Sequence, residues 1–168
     1  KMALKLRVPG WARGEVLPGD LYHYARPENL AISLVIDGKK EDVKITEGYI
    51  TIDRKWENIS HLEIDFPMVT RIVYANEKVE DDHGKIALEY GPIVYAFEEV
   101  DNHSDFDQLH YTPGAGFQVT FKNDLLGGVN QLALNNPDQT FKAIPYYAWS
   151  NRGVGKMKVW IPKTSQSK

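Results

Sequence analysis

The sequence predicts an all-β protein, an antiparallel β-sandwich of jelly-roll type that forms either one sandwich or two small sandwiches packed together. Three observations predict this fold. Apolar and polar residues alternate along most of the chain, which is the period of a half-buried strand. Turn residues separate these stretches at short intervals, as in sandwiches and barrels. No segment of helical length has apolar residues spaced 3.6 residues apart.

The first strands are predicted at residues 2–8 and 30–36. Met2, Leu4, Leu6 and Val8 alternate with polar residues from the start of the chain, so one face of this strand is buried. Chain ends fray unless they are tied down, and we therefore expect a piece excised from a longer protein. Residues 30–36 lead into Asp37-Gly38, which predicts a tight hairpin turn because glycine accepts positive φ.

The later strands follow the same period of two, with breaks at Gly48, at Pro67 and at Gly91-Pro92. The run at residues 93–97 is apolar on both faces, which indicates a central strand. The predicted segments are residues 50–52, 62–66, 72–74, 84–90, 93–97, 117–121, 129–134 and 157–161.

A charge-dense stretch at residues 76–84 suggests a division into an N-terminal sandwich part, residues 1–76, and a C-terminal sandwich part, residues 77–168. A single domain over residues 1–168 is the alternative. Two loops, at residues 11–29 and 99–116, are longer than hairpins require, and such loops often bind a ligand or pack on a neighbour.

Composition excludes several kinds of function. The net charge of −3 with mixed signs argues against nucleic-acid binding, and no apolar run reaches the length of a membrane span. The absence of cysteine removes thiolate metal sites and cysteine nucleophiles. The paired acids Asp81-Asp82 and Glu98-Glu99 would point to opposite faces of a strand, so neither pair can flank one glycosidic bond. We therefore predict no catalytic residue in this chain.

Metal and cofactor sites are also not predicted, with one calcium candidate. Asp101, Asp105 and Asp107 place three acids in one loop, and carboxylate oxygens suit calcium. The order of residues does not match an EF-hand loop, so a solvated acidic turn is the alternative. The histidines show no spacing typical of zinc ligands.

The aromatic residues are the remaining functional signal. A dense segment contains Tyr146, Tyr147, Trp149, Asn151 and Arg152. Sugars stack on such rings and hydrogen-bond to such amide and guanidinium groups. The same residue types are favoured in cores and interfaces, so interdomain contact is the alternative interpretation.

A second aromatic group lies in the first long loop, where Trp11 and Tyr22 could form another sugar platform or an interdomain contact. The same alternative applies to this pair, because tyrosine and tryptophan are common at interfaces.

Six segments carry a resemblance to a known family: residues 6–12, 18–22, 48–56, 89–95, 144–153 and 157–162. Together they resemble the region that follows the catalytic barrel in glycoside hydrolase family 127, whose members include β-L-arabinofuranosidases. The similarity covers almost the whole chain, in the family's order. Two residues depart from the family's usual pattern, Tyr90 in place of arginine and Ala96 in place of cysteine.

The resemblance implies a non-catalytic accessory β-sandwich region that packs against and supports a preceding (α/α)6 barrel of the same parent chain. It places catalysis in that barrel, with a glutamate acid/base and a zinc-bound cysteine nucleophile, so zinc would belong to the parent's catalytic domain. A carbohydrate-binding module for plant-type arabinose-containing glycans is the alternative. The resemblance points to a bacterial source and leaves the compartment open between periplasm and cytoplasm.

Overall fold

The computed structural model describes residues 1–26 and 30–164 and confirms the all-β, sandwich-like fold. Its strands are short and pair antiparallel within three sheets. The described strands are β1 (Met2–Arg7), β2 (Tyr22–Tyr24), β3 (Ser33–Ile36), β4 (Lys39–Glu41), β5 (Ile45–Thr46), β6 (Tyr49–Arg54), β7 (Leu62–Asp65), β8 (Thr70–Ala75), β9 (Lys85–Tyr90), β10 (Ile93–Glu98), β11 (Gly116–Lys122), β12 (Val129–Asn135), β13 (Thr140–Pro145), β14 (Met157–Lys158) and β15 (Ile161–Pro162).

Two three-stranded sheets, β1-β6-β5 and β4-β3-β7, form what we call the first sandwich. The alternation seen in the sequence turns one face of each strand inward, where Leu34, Ile36 and Ile50 are almost completely buried. Trp11 and Phe66 pack on this core with their rings edge to face, 5.9 Å between centroids.

The hairpin predicted at Asp37-Gly38 is confirmed. Ile36 pairs with Lys39 across it, and both turn residues have positive φ, 50° for Asp37 and 76° for Gly38. Two consecutive positive φ values match the right-handed twist of the flanking strands.

The remaining strands form one large sheet, the second sandwich, in the order β11-β12-β13-β10-β9-β8-β2, with β14 on β10 and β15 on β9. The sheet folds over itself around a common core. Ile86 and Leu88 of β9 share that core with Leu132 and Leu134 of β12 and with Phe141 of β13. As predicted, the central strand β10 is covered on both faces, with Tyr95, Ala96, Phe97 and Glu98 all buried.

The edge strand of the second sandwich comes from the first part of the chain. β2 leaves the first long loop and pairs with β8, with Tyr22 opposite Ala75 and Tyr24 opposite Val73. The predicted division at residues 76 and 77 stays a prediction, and β8, on its N-terminal side, belongs to the larger sheet.

The second long loop contains the α-helix α1 (Glu99–Asn102) and a 3-10 helix (His103–Gln108). Phe106 and Leu109 are buried in the second core. The Asn102 amide bonds the Glu98 and Lys142 carbonyls and accepts from the Lys142 N–H, so it ties α1 to β13. No helix in the described part of the chain is long and apolar enough to cross a membrane.

One predicted strand was wrong in detail. Residues 157–161 form the two separate strands β14 and β15, because the chain leaves β10 after Lys158 and joins β9 at Ile161. The intervening Val159 and Trp160 pack beside β2 instead.

Candidate functional site

The segment at residues 146–149, which we call the aromatic turn, exposes its rings to solvent. It begins with the 3-10 helix Tyr146–Ala148, directly after β13. Tyr147 is 68% exposed, Tyr146 45% and Trp149 37%. The described chain therefore does not bury these rings in its own core, which leaves a sugar or another protein surface to cover them.

The aromatic turn stands on an apolar base. Ala148 is buried against Val129 and Ile144, with Leu125 and Leu126 packed beside them. Ile144 alternates with Ala143, which points into the core of the second sandwich, so this base lies on the outer face of the sheet. The turn is thus fixed to the sheet, while its rings project outward.

A buried ionic cluster holds the C-terminal end of the turn. The Arg152 guanidinium donates to both oxygens of Asp101, at 2.8 and 2.5 Å, and to Glu98. Glu98 also accepts from the Ser150 N–H at 2.8 Å. The hydrogen bonds that Arg152 donates to Asp101 and Glu98 raise the pKa of Arg152, against the opposing effect of burial. Arg152 therefore serves to anchor the segment.

The geometry of the turn differs from that of a flat sugar platform. The Tyr146 and Trp149 rings are 6.3 Å apart and inclined by 33°. The Asn151 amide nitrogen bonds the Ala148 and Trp149 carbonyls, at 3.1 and 3.3 Å. Arg152 bonds Asp101 and Glu98, so both polar groups that could satisfy sugar hydroxyls already have partners in the chain.

A further exposed ring, Phe121, lies at the neighbouring end of the sheet. Phe121 is 64% exposed and pairs with Asn130, whose carbonyl accepts the Tyr95 hydroxyl at 2.9 Å. Burial raises the pKa of Tyr95, and the nearby Tyr147 phenol adds to this rise. Tyr95 also pairs with Pro145, which directly precedes the aromatic turn, so Phe121 and the turn lie at the same end of the second sandwich.

Trp11 and Tyr22 lie at the junction of the two sandwiches. Tyr22 stacks on Trp160, with centroids 5.7 Å apart and a 25° inclination. Trp11 packs on Phe66 of the first core and has the Arg71 guanidinium 5.7 Å from its ring. Both rings are half-buried within the chain. Trp11 contacts both sandwiches, through Phe66 and Arg71, whereas Tyr22 packs within the second sandwich.

The acids proposed for calcium are separated in the structure. Asp101 is bound to Arg152, Asp107 lies 3.4 Å from the Lys156 ammonium, and Asp105 also has an interaction of its own. Among the described residues, no three histidine, cysteine or acidic side chains are grouped so as to hold a metal. With no cysteine in the sequence, these residues do not fit the zinc site that the resemblance implies.

Sequence reasoning missed a second polar cluster, which joins the buried Arg71 to Glu89 and Tyr24. Arg71 is only 4% exposed, and its Cζ lies 4.3 Å from the centre of the Tyr24 ring. The Tyr24 hydroxyl donates to Glu89 at 2.8 Å. Burial raises the pKa of Glu89, although the Tyr24 hydrogen bond and the Arg71 charge oppose the rise. Arg71, a charged residue among the apolar residues of β8, was the sequence feature that could have indicated this cluster.

Comparison with known protein families assigns the chain. Residues 1–68 match the family described as the β-L-arabinofuranosidase GH127 middle domain, and residues 70–162 match the glycoside hydrolase family 127 C-terminal domain. This chain belongs to glycoside hydrolase family 127. The two matches meet near the passage from the first sandwich into β8, and together they confirm the resemblance seen in the sequence.

Relatives of this family 127 chain are longer proteins. A non-reducing end β-L-arabinofuranosidase of Bifidobacterium longum subsp. longum is 28% identical over 92% of this chain, which spans 25% of that protein. A solved GH127 β-arabinofuranosidase is 40% identical with a TM-score of 0.87, and 28% of it is covered.

Two further solved structures share the fold. The GH127 β-L-arabinofuranosidase of Geobacillus stearothermophilus T6 is 33% identical over 97% of this chain, with a TM-score of 0.78 and 26% of its own length covered. A protein described as a glycoside hydrolase has a TM-score of 0.74 over 97% of this chain and 28% of its own, at 20% identity, which shows the fold alone. The chain thus spans about a quarter of the length of the relatives it matches.

Proposed function

We propose that this chain is a non-catalytic accessory region of a larger family 127 glycoside hydrolase, and that it packs against a catalytic (α/α)6 barrel and supports it. The observation that carries the proposal is the aromatic turn, whose exposed rings stand on a base fixed by the Arg152 cluster. Rigid, exposed aromatic side chains are typical of surfaces that a protein partner covers.

The occupant of this surface is the remainder of the parent chain. About three quarters of each relative's length lies outside the matched region, so a large catalytic part has to be accommodated beside the two sandwiches. Tyr146, Tyr147, Trp149 and Phe121 lie at one end of the second sandwich and supply the apolar contact area.

The relatives also support a proposal for the parent enzyme. They are described as β-L-arabinofuranosidases, so we expect the parent to release β-L-arabinofuranose units from plant-type arabinose-containing glycans. The zinc that this chemistry uses in the family would be held by residues of the barrel, outside this chain.

A carbohydrate-binding module is the second candidate, favoured by the exposure of Tyr147. The inclined rings and the internally bonded Asn151 and Arg152 weigh against it. Calorimetric titration of the 168-residue chain with arabinose-rich oligosaccharides decides between the two. We expect no heat at millimolar ligand, and heat that is lost in Tyr147→Ser would establish the binding module instead.

The packing proposal is tested by the Tyr147→Ser/Trp149→Ser double variant in two contexts. In the isolated 168-residue chain we expect less than about 1 kcal/mol of destabilisation, since the rings are exposed. In the complete parent enzyme the same change should destabilise the protein by at least about 2 kcal/mol, because the rings are then buried. Denaturant unfolding of both proteins measures the difference.

Ile59→Ser provides the control, because Ile59 is 77% exposed on the first sandwich and is not part of the proposed contact. It should have a small effect in both contexts. Equal and small effects of the double variant in the isolated chain and in the parent enzyme would refute the packing of this surface against the barrel.

A further inference from the structure

The junction between the sandwiches is covered by one segment, residues 10–25, which we call the strap. It leaves the first sandwich after β1 and crosses the outer face of β8 and β9. Val16, Tyr22 and Tyr24 of the strap pack with Val73 and Ala87 of those strands. The strap therefore covers this face together with Val159 and Trp160 of the second sandwich.

Backbone hydrogen bonds fix the strap to β8. The Asn76 N–H donates to the Leu21 carbonyl at 2.7 Å, and the Ala25 N–H donates to the Ile72 carbonyl at 2.9 Å. Between these bonds, β2 completes the edge of the sheet. The end of the strap nearest to the first sandwich depends on side-chain contacts instead.

Arg71 provides the principal contact there. From β8 its guanidinium donates to the Trp11 carbonyl at 2.5 Å and to the Gly91 carbonyl at 3.3 Å. Trp11 belongs to the first core, and Gly91 lies in the turn between β9 and β10. One side chain thus bonds both sandwiches, with Tyr24 of the strap against its planar face.

The burial of Arg71 is costly, which indicates a specific role. A guanidinium loses its hydration at 4% exposure, and its hydrogen bonds go to carbonyl groups. Its Nε has no hydrogen-bond partner in the described part of the chain. Glu89, on the neighbouring strand, bonds Tyr24. The site does fix a geometry, because the planar guanidinium of arginine can bond two acceptors at once and hold them in a set relative orientation.

We propose that Arg71 is a positioning residue that fixes the orientation of the two sandwiches, so that the middle and C-terminal domains of family 127 form one rigid body in this chain. The proposal concerns the relation between the two domains and does not depend on what covers the aromatic turn.

Arg71→Met tests the proposal by calorimetry of the 168-residue chain. The wild type should unfold in one transition, whereas the variant should show two, because each sandwich keeps its own core while the link between them is lost. Arg54→Met is the matched control. Arg54 also lies over a tryptophan, Trp56 at 5.6 Å, and pairs with Glu41, but all three residues belong to the first sandwich. It should keep a single transition.

A distance measurement separates loss of orientation from general destabilisation. The chain has no cysteine, so Thr51→Cys and Gln118→Cys introduce the only two labelling sites. Both positions are exposed on strands, one in each sandwich. Spin labels at these sites should give a narrow distance distribution in the wild type and a broadened one in Arg71→Met, with unchanged circular dichroism.

Arg71→Lys provides a second test if Arg71→Met does not yield folded protein. Lysine retains the charge but not the fork, so we expect a distribution of intermediate width. Tyr24→Phe leaves the ring over Arg71 and removes only the bond to Glu89, and should change the width less than Arg71→Lys. A narrow, wild-type distribution in the soluble Arg71 variants would overturn the proposal.

Discussion

Arg152 connects the segment after β13 to two carboxylates, Glu98 and Asp101, that precede it by 54 and 51 residues. The sequence indicated this arginine as a candidate for sugar binding or interdomain contact, because it follows a run of aromatic residues. Its pairing could not be predicted, since nothing local in the sequence specifies which acids a distant loop will meet. The same holds for Arg71, whose carbonyl partners are 60 and 20 residues away.

Arg152→Met should destabilise the chain by at least about 2 kcal/mol, because it leaves Glu98 and Asp101 as buried charges without their cation. Urea unfolding at neutral pH measures the loss. Lys156→Met is the control, since its pair with Asp107 is mostly exposed and should contribute below about 1 kcal/mol. A loss for Arg152→Met no larger than that of Lys156→Met would contradict the anchoring role.

Glu89 should give the stability a specific pH dependence. Its pKa is raised in the folded chain by burial, so the folded state binds more protons than the unfolded state between the ordinary and the raised value. The free energy of unfolding that Glu89 contributes therefore falls as pH rises through that window. Glu89→Gln removes this dependence.

The measurement is the difference in unfolding free energy between wild type and Glu89→Gln as a function of pH. The free energy of unfolding of the wild type, relative to that of Glu89→Gln, should be higher at the acidic end of the window than at the alkaline end. Glu63→Gln, an exposed carboxylate on β7, provides the reference curve. A difference that increases with pH would show that the Arg71 charge outweighs burial at Glu89.

At the scale of elements, alternation was sufficient to predict many strands, including β1 and β9, because a one-residue slip would expose a whole apolar face. β10 was predicted instead from a run that is apolar on both faces. β2 was missed because three residues in a glycine- and proline-rich loop carry too little pattern. β13 was missed although Phe141 and Ala143 alternate inward, since Ile144 breaks the alternation and Pro145 ends the stretch. The sheet order could not be predicted from local patterns.

The turn between β9 and β10 favours glycine at residue 91 because of its backbone conformation. Gly91 has φ of 58°, and a Cβ there would meet the Met68 sulfur, but Met68 is 42% exposed and its flexible side chain can move aside. Gly91→Ala should therefore cost roughly 1–2 kcal/mol, the cost of the left-handed conformation alone. Chemical denaturation measures this cost.

Gly38→Ala isolates the conformational part, because Gly38 has φ of 76° and nothing within 4 Å of its added Cβ. The two glycine substitutions should cost about the same, and adding Met68→Ala to Gly91→Ala should change little, in a double-mutant cycle. A clearly larger cost at Gly91, recovered by Met68→Ala, would show that Met68 does not move aside.

At the scale of the whole molecule, the aromatic end of the second sandwich should make the isolated chain self-associate. Phe121 and Tyr147 are both more than half exposed, and exposed apolar surface promotes association. Phe121→Ser/Tyr147→Ser should shift the chain toward monomer in sedimentation velocity experiments at high concentration. Ile59→Ser replaces a single exposed apolar residue on the first sandwich and should leave the distribution unchanged. An equal shift in both variants would contradict self-association through the aromatic end of the second sandwich.

β2 lies in the first family domain along the chain but pairs in the sheet of the second, and this has a consequence for chimeric proteins. β2 is encoded before residue 68 yet completes a sheet whose other strands all follow it. In a chimera joined between the two family domains, β2 would come from one protein and the rest of the sheet from another. The residues at positions 22 and 24 would then not match the strands that they pack against. Shuffling in this family should therefore succeed more often when both domains are inherited together than when the crossover falls between them.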